Sequence, residues 1–238
     1  MLLLKSTLFT GLMMATVSIF VIFGQLFWPF NIHVRFWFLS GWAKLVLWML
    51  KVLCNLRFEV SGKENIPSNN AIVFCKHQSM WETIALQSIF PTQLWVLKHE
   101  LLRVPFFGWA LTMLGSIGID RTAGRKAILQ IAEEGTERLK KGYWVIIFPE
   151  GTRVPPGEHK RFGIGGSVLA EQSGYPVVPV AHNAGEYWSR RSLIKKPGVI
   201  KVVIGTPIES KGKSAQEIND IAEKWITETV DGISTLNK

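Results

Sequence analysis

The feature that most constrains this chain is its N-terminal stretch, in which no side chain between Lys5 and Arg35 carries a charge if histidine is neutral. The apolar centre covers residues 8–30, and a helix of that length rises about 34 Å, enough to cross the hydrocarbon of a bilayer. Tryptophan, proline and phenylalanine at 28–30 are typical of a membrane interface and a helix end. We therefore expect a retained membrane helix. A cleaved signal peptide and a buried helix of a soluble protein are the alternatives.

A second apolar run covers residues 36–53 and is interrupted by Lys44 and Lys51. These lysines are seven positions apart, so they share one face of a helix. A basic stripe on an apolar helix suits a helix that lies at the level of the lipid headgroups, and a second spanning helix is the alternative. The basic residues follow the first apolar segment, so we expect a membrane protein whose body, after residue 57, faces the cytoplasm.

The charge of the chain is unevenly distributed. There are 27 basic and 18 acidic residues, a net charge of +9. Residues 1–57 contain five of the basic residues and no acidic one, which leaves 22 against 18 for the rest. The excess lies beside apolar segments, which favours a phospholipid bilayer as partner over nucleic acid. We predict membrane-anchoring helices over 1–57 and a catalytic domain over 58–238. Removing the first part should release the second from membranes, or leave it aggregating if the second helix packs on it.

After residue 57, short apolar runs alternate with segments of helical periodicity. This alternation predicts an α/β fold with a largely parallel sheet flanked by helices. In such sheets, functional residues gather in the loops at the carboxyl ends of the strands. Strands are predicted at 57–60, 71–75, 94–97, 116–119, 144–148, 177–181 and 199–204, and helices at 81–90, 104–114, 125–141, 166–172 and 214–230.

The loop after the second predicted strand contains His77, and Glu82 follows at the start of the next helix. A turn from strand to helix can bring these side chains together. The carboxylate would then accept the proton of one imidazole nitrogen and leave the other nitrogen as a base. The alternative is an exposed loop histidine and a glutamate that stabilises the helix dipole.

Two further loops that follow apolar strands each carry an arginine. Gly151 permits a tight turn in the segment 148–153, Arg153 offers a planar fork for phosphate, and Glu150 could hold Arg153 or a substrate hydroxyl. Arg121 is a second candidate anion ligand. A surface turn with a solvated ion pair is the alternative for 148–153.

Four short segments form an ordered set. His77-x4-Glu82, then 119–121 (Ile-Asp-Arg), 148–153 (Phe-Pro-Glu-Gly-Thr-Arg) and 177–180 (Val-Val-Pro-Val) resemble the four motifs of the glycerolipid acyltransferases. The match is closest to the lysophosphatidate acyltransferases and covers about residues 70 to 185. The hexapeptide is the most specific of the four.

The resemblance implies acyl transfer from acyl-CoA or acyl carrier protein to the free hydroxyl of 1-acyl-glycerol-3-phosphate, which gives phosphatidic acid. No further cofactor is implied. The motif histidine is the base in this family, and the motif acid orients it, which assigns these roles to His77 and Glu82. The residues matched to acceptor binding are Arg121, Glu150, Gly151, Thr152 and Arg153.

The sequence departs from the family pattern at two points. Glu82 stands where most members have aspartate, and the turn must absorb one extra methylene. The segment 162–165 lacks the lysine that many members have there, and Lys160 or Arg161 could supply its charge.

Three other functions remain open. They are an acyltransferase for another lysophospholipid, a non-catalytic lipid-binding protein of the same fold, and a thioesterase that uses Cys75 with His77. A small buried residue is the simpler interpretation of Cys75.

The remaining polar groups suggest two details of the site. The backbone N–H groups at 79–81, where a helix begins, are candidate donors to the reaction oxyanion. His99, His159 and His182 lack metal-ligand spacing, so we expect no metal.

Overall fold

The computed structural model describes residues 1–236. Within them, eight α-helices and seven strands form the fold. The helices are α1 (Leu2–Gly24), α2 (Ile32–Cys54), α3 (Trp81–Ile89), α4 (Phe107–Met113), α5 (Arg125–Lys140), α6 (Gly165–Ser173), α7 (Ala184–Tyr187) and α8 (Ala215–Ile233). The strands are β1 (Leu56–Ser61), β2 (Ile72–Cys75), β3 (Gln93–Lys98), β4 (Ile117–Ile119), β5 (Trp144–Ile147), β6 (Val177–His182) and β7 (Gly198–Ile204).

The strands form one sheet in the order β1-β7-β6-β2-β5-β3-β4. The strands from β6 to β4 in this order are parallel, whereas β7 runs antiparallel to β6 and carries β1 parallel to itself. This confirms the predicted α/β class with a largely parallel sheet. Each predicted strand is present, and its ends differ by no more than one residue from the prediction.

Two helices differ from the prediction for local reasons, and α8 ends at Ile233, three residues later than predicted. α4 begins at Phe107, later than expected, because Pro105 and Phe106 precede it and Phe106 has a φ of +61°. α7 has four residues, too few to show a helical period in the sequence.

The two N-terminal helices form a hairpin. α1 is continued to Phe27 by a short 3-10 turn and so ends before Trp28. The side chain of Asn31 caps α2 by accepting a hydrogen bond from the Val34 N–H at 3.1 Å, and Asn55 ends α2 in a left-handed conformation. Both helices are long and apolar enough to cross a membrane.

Apolar side chains form one core on each face of the sheet. The first lies between the sheet and α2, α3 and α4, and the second lies under α5, α6 and α8. α1 and α2 are part of the first core. The buried apolar side chains that they contribute to it are Phe9, Met13, Phe36, Leu39, Ala43, Val46, Met49, Leu50 and Cys54. The chain segments 1–57 and 58–236 therefore share a core.

The remaining faces of the hairpin are exposed. On α2, Lys44, Trp48 and Lys51 lie on the side opposite the core, as their spacing predicts. The outward face of α1 consists of large apolar side chains, which include Leu8, Leu12, Met14, Ile19, Ile22 and Phe23. Exposed apolar surface of this extent is typical of a contact with another apolar phase.

Candidate active site

The predicted site residues converge at the carboxyl ends of the parallel strands. His77 follows β2, the loop 148–153 follows β5, and Arg121 follows β4. β2 and β5 are neighbours in the sheet, so their loops lie side by side. Arg121 reaches the second loop by donating a hydrogen bond from Nη1 to the Gly151 carbonyl.

His77 and Glu82 form the contact that the sequence predicts. His77 Nδ1 lies 2.8 Å from Glu82 Oε1. The imidazole stacks on Phe148, with 4.1 Å between ring centroids. The side chain of His77 is 14% exposed and that of Glu82 is fully buried. If Nδ1 carries a proton, it donates to the carboxylate, and Nε2 is left for a substrate.

Backbone N–H groups of the His77 loop bind the Glu82 carboxylate. Oε1 also accepts hydrogen bonds from the N–H groups of Gln78 at 2.9 Å and Ser79 at 2.8 Å. Burial alone would raise the pKa of Glu82, but the nearby His182, the bond from His77 and the Ser79 N–H lower it below its ordinary value. The ionised form, which can hold an imidazolium, is therefore favoured.

Glu150 is buried between the His77 loop and the loop that follows β5. Its side chain is fully buried and forms an ion pair with Lys76 Nζ at 2.5 Å. Its second oxygen accepts a hydrogen bond from the His77 N–H at 2.9 Å. Burial raises the pKa of Glu150, against the opposing effect of Lys76. The Glu150 carboxylate thus contacts Lys76 and the His77 N–H instead of Arg153, and it joins the two loops.

Arg153 and Arg121 flank the turn of the second loop. Gly151 has a φ of +68°, which favours glycine, and Thr152 is half-buried beside it. Arg153 Nε donates a hydrogen bond to the Ser79 carbonyl at 2.8 Å. Burial lowers the pKa of both arginines, yet both stay charged at neutral pH. The turn therefore carries two cations next to the His77 loop.

The expected oxyanion donors are largely occupied. The Ser79 N–H is used by Glu82, and the Trp81 N–H donates to Ser79 Oγ at 3.1 Å. The prediction is wrong for these two residues, because the side chains at the start of α3 bind the N–H groups that the helix end leaves unpaired.

Cys75 has the surroundings of a core residue. Its side chain is fully buried, and Sγ donates to the Lys76 carbonyl at 3.3 Å. Burial, together with Glu82 and Glu150, raises the pKa of Cys75 well above its ordinary value. A thiol in this state is a poor nucleophile, which argues against the thioesterase alternative.

His159 and His182 have separate surroundings. His159 is exposed and lies 3.3 Å from Asp231, whereas His182 is buried behind the His77 loop. Within residues 1–236, no cluster of three or more histidine, cysteine or acidic side chains could hold a metal ion. The sequence interpretation missed the contacts of Lys76 and His182, although each is a basic residue that ends or follows an apolar strand.

Comparison with known proteins gives consistent matches. The Acyltransferase family model matches residues 57–183, more than half of the chain. The 1-acyl-sn-glycerol-3-phosphate acyltransferase of Pseudomonas aeruginosa is 46% identical over 213 residues, which cover 88% of this chain and 82% of that protein. The Saccharomyces cerevisiae protein of the same name is 31% identical over 83% of this chain and 67% of its own length.

A solved structure has the same fold. The crystal structure of the 1-acyl-sn-glycerophosphate acyltransferase PlsC from Thermotoga maritima superimposes with a TM-score of 0.80 and 23% identity. The match covers 98% of this chain and 97% of that one, so it includes the two N-terminal helices.

Proposed function

We propose that this chain, which belongs to the acyltransferase family, moves a fatty acyl group from a thioester to the free hydroxyl of 1-acyl-glycerol-3-phosphate and so forms phosphatidic acid. The donor is acyl-CoA or acyl carrier protein. The observation that carries the proposal is the 2.8 Å contact between His77 Nδ1 and Glu82 Oε1, beside a turn flanked by two arginines. The 46% identical relative bears the name of this activity.

His77 is the base of the proposed reaction. A secondary hydroxyl is a weak nucleophile at neutral pH, so Nε2 accepts its proton as the oxygen attacks the thioester carbon. Glu82 stabilises the imidazolium that forms. The new C–O bond is made, the C–S bond breaks, and the proton passes from His77 to the departing thiolate. No protein nucleophile is required.

Arg153 and Arg121 are the proposed ligands of the acceptor phosphate. Arg153 uses Nε on the Ser79 carbonyl, which fixes the plane of its guanidinium and leaves the terminal amino groups for an anion. The same contact joins the phosphate site to the loop that holds His77. Gly151 and Thr152 shape the turn between the two arginines.

The Arg153→Ala variant is expected to bind lysophosphatidate more weakly. Loss of a charge-assisted contact of about 1.5–3 kcal/mol should raise the acceptor KM by about 10- to 150-fold, and the donor KM should change little. The measurement is a pair of titrations, one of each substrate, on the purified enzyme in detergent.

Arg57→Ala is the matched control, because Arg57 is exposed on β1 at the far edge of the sheet. Its constants should equal those of the wild type. An Arg153→Ala variant whose donor KM rises while its acceptor KM stays constant would remove the phosphate role.

The hairpin of α1 and α2 is the proposed membrane contact. Ser6 Oγ accepts a hydrogen bond from the Lys195 N–H at 3.0 Å, and Gln25 Nε2 lies 3.3 Å from Met113 Sδ. α1 thus packs on the body near both of its ends, which favours a hairpin that enters one leaflet with its exposed apolar face. The basic residues of α2 favour the cytoplasmic face of an anionic membrane.

Replacing Lys44 and Lys51 with glutamate should weaken binding to anionic vesicles only modestly. Each lost basic contact near the surface is worth about 1 kcal/mol, and the apolar face of α1 is unchanged. Co-sedimentation over a range of salt concentrations measures the effect. Glutamate at Lys126 and Lys140, exposed on α5 across the sheet, is the matched control and should leave binding unchanged. Equal loss in both double variants would contradict the proposed orientation.

A donor and acceptor panel tests the proposed function. We expect purified enzyme to release thiol from acyl-CoA or acyl carrier protein only when lysophosphatidate is present, and to form phosphatidic acid in equal amount. Thiol release without acceptor would support a thioesterase. Transfer only to another lysolipid would support a different acceptor, and no release with any pair would support a lipid-binding protein.

A further inference from the structure

The peptide group that joins Lys76 to His77 is held from both sides by buried side chains. Its N–H donates to Glu150 Oε2 at 2.9 Å, and its carbonyl lies 2.8 Å from His182 Nε2. Glu150 follows β5 and His182 ends β6, the two strands that flank β2. The backbone immediately before the proposed base is therefore fixed by one side chain from each neighbouring strand.

The tautomer of His182 follows from its contacts. The Ala184 N–H donates to Nδ1 at 3.2 Å, so Nδ1 carries a lone pair and the proton of the neutral ring is on Nε2. Nε2–H then donates to the Lys76 carbonyl. His182 is 1% exposed, and this burial lowers its pKa despite the opposing effect of Glu82. The lowered pKa keeps the ring neutral.

The Nε2–H group of His182 also faces the Glu82 carboxylate. Oε1 of Glu82 takes all three of the carboxylate's hydrogen bonds, whereas Oε2 is buried and has no partner among residues 1–236. Oε2 lies 3.8 Å from His182 Nε2. The Trp81 and His182 rings pack edge to face, with 5.9 Å between centroids. His182 thus sits behind both members of the His77–Glu82 pair.

We propose that His182 is a positioning residue for acyl transfer: its Nε2–H holds the Lys76 carbonyl and faces the free oxygen of Glu82, and so it fixes the two side chains relative to each other. The proposal rests on the base role given to His77 under the proposed function. An error of about 1 Å in the placement of a reacting group can cost about 100-fold in rate, so a buried donor at this point affects turnover more than substrate binding.

Two substitutions separate the N–H from the ring. His182→Phe keeps a ring against Trp81 and removes the donor, and His182→Gln keeps an amide N–H that can reach the Lys76 carbonyl. We expect His182→Phe to lower kcat by about 10- to 100-fold while both KM values stay within about twofold. His182→Gln should recover most of the lost kcat.

Ile226→Val provides the control for stability. Ile226 is buried in α8 on the opposite face of the sheet, so this variant loosens packing without touching the loop. All variants are assayed well below their unfolding temperatures, and Ile226→Val should keep the wild-type kcat. A His182→Phe variant with wild-type kcat would overturn the proposal. So would a His182→Gln variant as slow as His182→Phe, because the N–H would then be irrelevant.

Failure of the proposed function can be distinguished from failure of the His182 proposal. If the wild type forms no phosphatidic acid, the proposed activity fails. If His77→Ala turns over normally, the base role fails, and the His182 proposal fails with it. Slow His182→Phe, recovered His182→Gln and inactive His77→Ala together support the positioning role.

Discussion

Replacing His77 with alanine is expected to lower turnover by at least about 10²–10⁴-fold, the usual contribution of a general base. The variant keeps Glu82, the arginine turn and the substrate-binding surfaces, so both KM values should change much less than kcat. The measurement is thiol release from the acyl donor at saturating lysophosphatidate. Thermal unfolding should show a fold close to that of the wild type, because the His77 side chain is partly exposed and its loss empties no fully buried position.

His159→Ala is the matched control for this experiment. His159 is exposed and contacts Asp231, outside the loops that form the site. The same chemical change there should leave turnover intact. Retention of near-normal kcat in His77→Ala would remove this residue from the mechanism and leave the buried pair of Glu82 and His77 with a structural role only.

The site could be predicted to the extent that its residues are local in sequence. His77 and Glu82 are five positions apart on one strand-to-helix turn, so their contact depends on backbone geometry that the strand and helix patterns already specify. The approach of Arg121 to the Gly151 turn follows from parallel strands that deliver their loops to the same edge.

The contacts of Glu150 depend on residues that are far apart in the chain. Its ion-pair partner Lys76 is 74 positions away, and nothing in a loop rich in glycine and charge indicates which side chains turn inward. The sequence resemblance matches Glu150 to acceptor binding, and the structure adds a buried ion pair with Lys76 that the sequence does not indicate. The role of His182 is likewise not visible in the sequence, because its position at the end of β6 becomes significant only when β6 lies next to β2.

The buried faces of the N-terminal helices could not be predicted from the sequence either. A long apolar segment suits lipid and a protein core equally well, so hydropathy alone could not show which face of each helix is buried. The lysine spacing identified the solvent side of α2. The other side of α2 packs on the sheet, and α1 packs on α2 and on the body while exposing its outer apolar face.

Deletion of residues 1–57 is therefore expected to destroy the fold, and not only to detach it from membranes. A fully buried large apolar side chain contributes about 1.5–3 kcal/mol, so the five largest that α2 places in the core account for about 8–15 kcal/mol. That equals the whole stability of a typical domain. The shortened chain should aggregate, lack a cooperative thermal transition and show no acyl transfer even with detergent-dispersed acceptor. The five side chains are Phe36, Leu39, Val46, Met49 and Leu50.

A substitution variant of α1 separates anchoring from folding. Glutamine at Leu8, Leu12, Ile19 and Ile22 changes only exposed positions on one face of the helix and leaves Phe9 and Met13 in the core. This variant should unfold cooperatively, bind vesicles far more weakly than the wild type, and transfer acyl groups to lysophosphatidate in mixed micelles. A soluble, cooperatively folded 58–238 fragment would contradict the deletion prediction. It would show that the sheet does not need the hairpin and that other residues of the body cover the core face which α1 and α2 occupy.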